Sequence, residues 1–299
     1  MRAQAPWQRV DLSMACTYAT LRAMPDDHAA TPERGCVPFL RWAGSKRRML
    51  PVLRSYWNSS SHKRYLEPFA GSACLFFSLH PPRAVLGDLN PELIGTYLEI
   101  KYRVAGVIAQ LAGLRQSKKQ YLALRSVSPC LLDASARAAR FIYLNRFCFN
   151  GLYRTNLLGK FNVPYSGDRC GALPSAGLLQ KCSRSIRNAR LINADFECVL
   201  ELARKGDFVY MDPPFAVRAR RVFREYDPSA FTHEDTARLR SWMEKLAAER
   251  ISFVVSYAES EEADILRKGF DYQTVSLRRN IAGFAAHRTL HNEVLISNI

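Results

Sequence analysis

Short apolar runs alternate with amphipathic stretches along the chain from residue 39 onward. Runs of strand length occupy residues 64–69, 84–89, 190–194, 208–211, 251–257, 272–278 and 293–296. The intervening stretches show helical spacing; over residues 235–248, for example, Leu239, Met243 and Leu246 fall on one stripe. The alternation predicts βαβ units and a mainly parallel sheet of six or seven strands in an α/β fold.

Residues 104–175 interrupt this rhythm after the second predicted strand, since they are helical at first and then loop-like and basic. We therefore expect a discontinuous main domain, residues 36–92 plus 176–299, that carries a helical insertion at residues 93–175. Residues 1–35 lack the apolar core of a signal peptide, and their acidic residues disfavour a transit peptide, so we expect a poorly ordered N-terminal extension. Further helices are predicted at residues 42–57, 73–80, 92–103, 107–124, 134–144 and 261–268.

The chain has 299 residues, and its charge indicates what kind of partner it binds. A formal net charge of +16 and a pI near 9.7 favour a polyanionic partner, because cationic side chains bind phosphates and release counterions. A ribosomal type of basic protein, a merely soluble one and an anionic membrane surface are the alternatives. No run approaches the roughly 18 apolar residues of a membrane span, so no membrane partner is expected.

Eight cysteines are scattered along the chain without any C-x-x-C pair. This spacing argues against a zinc site and against a disulfide framework in a chain of this size. Several cysteines stand within apolar runs and are expected to be buried small hydrophobic residues. A reducing, cytoplasmic environment fits this usage, and no metal is expected.

The apolar run at residues 208–211 ends in the sequence DPPF, which comprises Asp212, Pro213, Pro214 and Phe215. Open α/β sheets bind their ligands at the carboxyl edge of the strands. A carboxylate, a fixed backbone carbonyl and an aromatic face at that edge suit a planar amine such as the exocyclic nitrogen of a nucleobase. A strand followed by a rigid proline turn is the simpler alternative.

Other strand ends supply further candidate groups. Phe69 and Gly71 lie in a small-residue turn before a helix, where backbone can approach a ligand. Asp88 ends the second strand and is placed to accept hydrogen bonds from ribose hydroxyls, unless it only forms an Asx turn or a helix cap. Asp195 and Phe196 follow the third strand and are candidates to flank an adenine ring; capping of the next helix is the alternative for Asp195.

Before the first strand, Trp42 is a candidate to pack on an adenine or thioether, or else a core aromatic residue. Lys46 is a candidate to neutralise a carboxylate, or else a solvated charge.

Taken in order, these segments resemble the Dam-like, D12-class (alpha group) adenine-specific DNA N6-methyltransferases. The resemblance covers roughly residues 38–298 and rests on FLRWAGSK, YLEPFAGSACLFF, GDLNPELI, NRFCFNGLYRTNLLGKFNVPY, ADF, VYMDPPF and EVLISN. It implies a Rossmann-like S-adenosylmethionine-dependent methyltransferase sheet with an inserted helical target-recognition subdomain. Two positions depart from the family pattern: Phe215 stands where tyrosine is usual, and Ala73 where a second glycine is frequent.

The resemblance implies S-adenosyl-L-methionine as cofactor, bound by Trp42, Lys46, Asp88 and Asp212 beside the turn at residues 69–73. It also implies that the insertion reads double-stranded DNA. The candidate DNA-binding residues are polar, basic or aromatic: Arg41, Arg146, Phe149, Asn150, Tyr153, Arg154, Asn156, Lys160 and Asn162. Phe149 is a candidate wedge beside an extruded base, with a core position as the alternative.

The implied reaction is direct methyl transfer to N6 of a flipped-out adenine. Phe215 would stack on the base, and Asp212 and the Pro213 carbonyl would accept the N6 hydrogens. GATC is the first candidate motif, with Arg41 and Arg154 as guanine readers. We expect a monomer or weak dimer, in a bacterial nucleoid or encoded by a phage, acting alone or beside a companion restriction endonuclease.

Three other functions remain as alternatives. N4-cytosine, RNA or protein-amide methyltransferases share the acceptor chemistry, but usually carry Ser or Asn in place of Asp212. A non-catalytic DNA-binding protein on the same fold would have no use for the combination of Asp212, Lys46 and Asp88. A nicotinamide-dependent oxidoreductase would need a glycine fingerprint that this chain lacks.

Overall fold

The structure is a computed structural model that describes residues 36–156, 158–167, 170–214, 231–278 and 290–299. The expected N-terminal extension, residues 1–35, and the aromatic residue of the DPPF motif, Phe215, lie outside the described residues. No described helix is long and apolar enough to cross a membrane.

Seven strands form one sheet in the described part of the chain. They are β1 (Arg64–Glu67), β2 (Ala84–Asp88), β3 (Ala189–Asn193), β4 (Asp207–Met211), β5 (Ser252–Ala258), β6 (Asp271–Arg278) and β7 (Leu290–Ser297). Their order is β3-β2-β1-β4-β5-β7-β6, with the first five parallel and β7 antiparallel to both of its neighbours. The α/β fold with a mainly parallel, Rossmann-like sheet is thereby confirmed.

Alternate residues of the central strands supply the two faces of this sheet. Tyr65 and Phe208 belong to one apolar cluster, whereas their neighbours Leu66 and Val209 belong to the other. Both faces are therefore buried, as expected for parallel strands that are nearly continuous in apolar residues. One face is covered by α1 (Leu50–Asn58), α2 (Cys74–Leu79), α3 (Pro91–Ala112), α5 (Ala134–Phe147) and α6 (Ala176–Ile186), and the other by α7 (Phe196–Leu200), α8 (His233–Ala248) and α9 (Glu261–Arg267).

The predicted helix at residues 42–57 is wrong in its first part. Gly44 adopts φ +81°, so residues 42–46 form a turn, and only the 3₁₀ segment Arg47–Met49 and α1 are helical. Helix α1 begins where Pro51 occupies its first turn, a position at which the missing N–H costs no intrahelical bond. The turn sends the side chains of Trp42 and Lys46 in directions that a continuous helix would not allow.

The insertion between β2 and β3 differs in helix boundaries from the prediction. Helix α3 runs through residue 112 with a break at Arg103 (φ −137°, ψ 38°), and α4 (Lys118–Ser126) starts separately at the cap Ser117. Helix α6 was not predicted, and the short α7 was expected only in the alternative that made Asp195 a helix cap. The insertion has a small apolar cluster of its own around Tyr121, Tyr143 and Phe147, while α3 also packs in the main core. The proposed boundaries fall within the first turn of α3 and at Ser175, which caps α6.

Candidate active site

The carboxyl ends of β1, β2 and β4 bring the predicted segments together. These strands are parallel neighbours, in register at Leu66↔Val85 and Leu66↔Val209. Their last residues therefore lie at one edge of the sheet, from which Asp88, Asp212 and the turn after Glu67 emerge. Glu67 itself is fully buried; it accepts a 3.0 Å hydrogen bond from the Tyr65 hydroxyl, and burial raises its pKa well above the ordinary value.

Asp212 is paired with Lys46 at this edge. Lys46 Nζ lies 2.8 Å from Asp212 Oδ1, with the lysine side chain 4% exposed and the aspartate 22% exposed. The expectation that Lys46 meets a carboxylate agrees with this geometry, and the alternative of a solvated lysine is wrong. Burial alone would lower the pKa of Lys46, but the carboxylates of Asp212 and Glu293 outweigh it and the pKa is raised.

Strand β5 supports the same carboxylate oxygen. Ser256 Oγ donates to Asp212 Oδ1 at 3.1 Å, and the hydroxyls of Ser256 and Tyr210 are 3.0 Å apart. Lys46 and Ser256 thus share Oδ1, and neither contact uses Oδ2. Among the residues that the structure describes, these contacts hold the partly exposed carboxylate through Oδ1 alone.

Gly71 shapes the turn after β1. It adopts φ +46°, and a Cβ on it would lie 2.9 Å from Cδ1 of Trp42, so a larger residue would strain the backbone and displace the indole. Its N–H donates to Asp88 Oδ2 at 3.0 Å, and its carbonyl accepts from the Tyr97 hydroxyl at 2.7 Å. Ala73 holds φ 49° two residues later, a conformation that glycine adopts more easily.

Asp88 forms the Asx turn that was the alternative for it. Oδ1 accepts from the N–H of Asn90 at 2.9 Å, and Asn90, not Asp88, caps helix α3. Burial raises the pKa of Asp88, while the hydrogen bonds from Asn90 and Gly71 oppose that rise. The turn holds its carboxylate beside Gly71 at the sheet edge, where the ligand position was expected.

Phe69 and Phe196 stack with ring centroids 5.2 Å apart and planes 28° apart. Asp195 caps α7 through the N–H of Glu197, so its capping alternative is observed. The sequence reasoning missed Arg238 of α8, which lies over the Phe196 ring at 4.7 Å and donates to Asp195 and Glu197 at 2.6 Å each. An arginine amid acidic residues in an exposed helix gives no signal of such a contact in the sequence.

Trp42 links this edge to the insertion. Its indole is nearly parallel to the Tyr153 ring, with centroids 6.3 Å apart and an interplanar angle of 14°. Tyr153 also contacts Phe141 and Phe161, so its ring lies in the aromatic packing between insertion and main domain. Tyr153 was grouped with the DNA-binding strip, and that role stays a prediction; its half-buried ring makes these packing contacts in the structure.

Arg41 and Arg146 come together through Asn145. Asn145 is buried; it accepts from the Arg41 N–H at 2.9 Å and donates to the Arg41 carbonyl at 2.6 Å. Arg41 Nη1 in turn donates to the Arg146 carbonyl at 3.0 Å. Burial and the neighbouring guanidinium of Arg41 lower the pKa of Arg146, whose buried Nε has no hydrogen-bond partner among the described residues. Asn145 was not among the predicted site residues.

The rest of the strip forms a hairpin-like loop. Thr155 and Phe161 make an antiparallel bridge, and Asn156 Oδ1 accepts from the N–H groups of Leu158 and Lys160 at the tip. Arg154 Nε donates to Asn162 Oδ1 at 2.7 Å.

Phe149 projects beside this loop with half of its surface exposed, so the alternative of a core position does not hold. It is followed by Asn150, which adopts a left-handed conformation (φ 54°).

The mainly parallel sheet, with the candidate site at the carboxyl edge of its strands, defines an α/β protein with a Rossmann-like sheet, and comparison with known sequences specifies the family. The profile of the D12 class N6 adenine-specific DNA methyltransferases matches residues 42–281. The type II methyltransferase M1.LlaDCHI of Lactococcus lactis subsp. cremoris is 33% identical over 270 residues, which cover 87% of this chain and 95% of that protein.

Two further relatives agree. M.MjaIII of Methanocaldococcus jannaschii, also a type II methyltransferase, is 31% identical over 270 residues, which cover 82% of this chain and 92% of that protein. A DNA adenine methylase of Vibrio cholerae is 30% identical, covering 86% and 94%. The chain belongs to the D12 class of N6 adenine-specific DNA methyltransferases. It is therefore an enzyme, and the predicted family is confirmed.

Proposed function

We propose that this methyltransferase transfers the methyl group of S-adenosyl-L-methionine to N6 of an adenine flipped out of duplex DNA, with Asp212 as the acceptor of an N6 hydrogen. The observation that carries the proposal is the Asp212 carboxylate itself. One oxygen is held by Lys46 and Ser256, and the carboxylate remains partly exposed at the carboxyl edge of β4. Such a fixed acceptor is what a weakly nucleophilic amine requires, because hydrogen bonds to its N–H groups favour the charge that develops on nitrogen.

The described residues fit the cofactor. The backbone at Gly71 leaves no room for a Cβ beside Trp42, and the carboxylate of Asp88 is held next to it. S-adenosylmethionine supplies an electrophilic methyl group on a sulfonium. In our proposal Asp88 accepts from its ribose hydroxyls, Phe69 and Phe196 border its adenine, and Trp42 packs on its opposite side. Lys46 is engaged by Asp212 and Glu293, so we assign it to the support of Asp212.

The target base receives its contacts from the DPPF segment. Asp212 and the Pro213 carbonyl are proposed to accept the two N6 hydrogens, and the prolines Pro213 and Pro214 restrict the backbone that presents this carbonyl. Phe215 is proposed to stack on the base. No covalent enzyme intermediate and no metal are needed.

Recognition of DNA is assigned to the insertion. The close guanidinium groups of Arg41 and Arg146 concentrate positive charge that suits phosphates or guanine. Phe149 is half exposed, as a wedge requires. The adjacent loop contains Arg154, Asn156 and Lys160. GATC is the motif we propose, read by Arg41 and Arg154. One flipped base needs only one subunit, so we expect a monomer or weak dimer. The enzyme would act in the cytoplasm, either alone or beside a companion endonuclease.

The test is to incubate the purified chain with S-adenosylmethionine and unmethylated plasmid, and to map modified bases by single-molecule sequencing. N6-methyladenine confined to one short motif is the expected result, and GATC the expected motif. N4-methylcytosine would overturn the proposed substrate. Modification of adenine at a different motif would overturn GATC alone.

A further inference from the structure

Glu293 is a buried carboxylate in β7, directly before three apolar residues. Its neighbours Val294, Leu295 and Ile296 are completely buried, and Glu293 itself is 5% exposed. Burial of a carboxylate is unfavourable unless a charge or hydrogen bonds compensate it. A glutamate at this place therefore calls for a partner, and the topology of the sheet supplies one.

The reversed direction of β7 brings Glu293 to the active-site edge. Because β7 runs antiparallel to β5, its early residues lie beside the end of β5, in register at Ala258↔Glu293. The ends of β4 and β5 are neighbours in the parallel part of the sheet, in register at Met211↔Val255. Glu293 thus reaches the edge at which Asp212 leaves β4.

Lys46 bridges the two carboxylates. Its Nζ lies 2.8 Å from Asp212 Oδ1 and 3.5 Å from Glu293 Oε2. The Asp212 side chain is 22% exposed, whereas the side chains of Glu293 and Lys46 are 7% and 4% exposed. Asp212 therefore faces the ligand, and Lys46 and Glu293 stand behind it.

We propose that Glu293 is a positioning residue for methyl transfer: it holds Lys46 against one oxygen of Asp212, and thereby fixes the orientation of that carboxylate toward the target amine. The inference rests on the proposed role of Asp212. Strand β7 would thereby contribute to catalysis a positioning residue that lies outside the DPPF segment.

The experiment compares Glu293→Gln with Glu293→Asp and with Glu262→Gln in steady-state methylation of duplex DNA. Glu262 is the matched control, because it is a glutamate buried to a similar extent on α9, beside His233 rather than Lys46. Glu293→Gln should lower kcat by about 10- to 100-fold, the usual effect of removing an outer partner of a buried charged site. The KM values for DNA and S-adenosylmethionine should change by less than about threefold, since no substrate contact is lost.

The pH profile separates positioning from a purely structural role. The carboxylates that face Lys46 are Asp212 and Glu293, and Tyr210 and Glu67 lie close enough to act on Asp212 in turn. Removal of one carboxylate lowers the pKa of Lys46, so its proton leaves at lower pH. The fall of kcat on the alkaline side should therefore begin at lower pH in Glu293→Gln than in the wild type or Glu262→Gln, and Glu293→Asp should restore part of both kcat and the profile.

The other possible outcomes distinguish a failure of this inference about Glu293 from a failure of the proposed function. If Glu293→Gln keeps wild-type kcat and pH profile, the inference is wrong while the role of Asp212 stands. A Glu293→Gln protein with lowered kcat but an unshifted profile, and no recovery in Glu293→Asp, would likewise overturn positioning in favour of structure. Thermal denaturation of all variants identifies any loss of folded protein. A wild-type enzyme that leaves adenine unmodified would instead overturn the proposed function.

Discussion

Lys46 Nζ and Asp212 Oδ1 form a 2.8 Å ion pair between a turn that precedes the first strand and the end of the fourth. The two residues are 166 positions apart in the sequence, and each belongs to a motif that was recognised separately. Their contact turns the loop FLRWAGSK into part of the site at DPPF. The lysine thereby fixes the carboxylate on which the proposed chemistry depends.

Removal of Lys46 should destabilise the fold. Lys46→Met leaves the carboxylates of Asp212 and Glu293 close together without their cation, and loss of one member of a buried pair costs about 3–5 kcal/mol. The double variant Lys46→Met/Glu293→Gln should recover part of this loss, because one uncompensated charge is gone. Urea denaturation measures both free energies of unfolding.

Arg103→Met is the control for that series, since its ion pair with Glu99 involves an arginine side chain that is 63% exposed and should contribute little. A double variant no more stable than Lys46→Met would show that repulsion between the carboxylates is not the cause.

Asn145 should matter for both stability and DNA binding. Asn145→Ala removes a buried side chain and leaves the partly buried N–H and carbonyl of Arg41 without that partner, which should cost about 1–3 kcal/mol. The freed segment carries Arg41 and Trp42, so the Kd for duplex DNA should rise as well. Asn145→Asp retains the acceptor but not the donor, and should lie between wild type and Asn145→Ala in thermal denaturation and in DNA titration. Equal stability of all three proteins would contradict this role.

Phe149 should act on the extruded base without contributing to the fold. A duplex with 2-aminopurine at the target position reports extrusion as increased fluorescence. Phe149→Ala should reduce this increase and kcat/KM for duplex DNA, with stability unchanged within about 0.5 kcal/mol because the ring is half exposed.

Leu131→Ala serves as the control for Phe149, since it removes an apolar side chain that is 79% exposed on another segment. If both variants extrude the base equally well, Phe149 is not the wedge.

Cys36 should be an unusually reactive thiol. Hydrogen bonding with the Cys182 thiol, whose Sγ lies 3.6 Å away, and with the Ser185 hydroxyl lowers the pKa of Cys36 to about 7 despite the opposing effect of burial. Because the thiolate is the nucleophile, alkylation by iodoacetamide should reach half of its maximal rate near pH 7, below the value of about 8.5 for an ordinary thiol. Peptide mass spectrometry measures the rate at Cys36, and Cys182→Ala should move the midpoint upward. A midpoint at or above the ordinary value would refute the hydrogen bond as cause.

The sequence predicts the sheet and the strand ends well, because both depend on local pattern. Apolar runs that stop at Asp88 and Asp212 mark the carboxyl edge of parallel strands wherever those strands occur. The predicted helix fails at residues 42–46, where the positive φ of Gly44 and the hydrogen bond from the Ser45 N–H to the Trp42 carbonyl form a turn instead.

The supporting residues of the site were beyond such reasoning. Asn145 and Glu293 begin two of the segments that carry the resemblance, yet the sequence assigns neither of them a role, because they and Arg238 act through partners more than 40 positions away in sequence. The direction of β7, which brings Glu293 to Lys46, follows from the pairing of strands rather than from the run of residues within it. Motifs therefore give the groups that face a ligand, and the fold gives the groups behind them.

The most direct test of the account is the rate of methyl transfer by Asp212→Asn, measured with tritiated S-adenosylmethionine and duplex DNA beside the Kd for the same duplex. The account predicts that kcat falls by about 1,000-fold or more while the Kd changes little, because the amide lacks the negative charge with which the carboxylate stabilises the charge that develops on the amine. A variant that methylates adenine at the wild-type rate would contradict the assignment of Asp212 and, with it, the proposed mechanism.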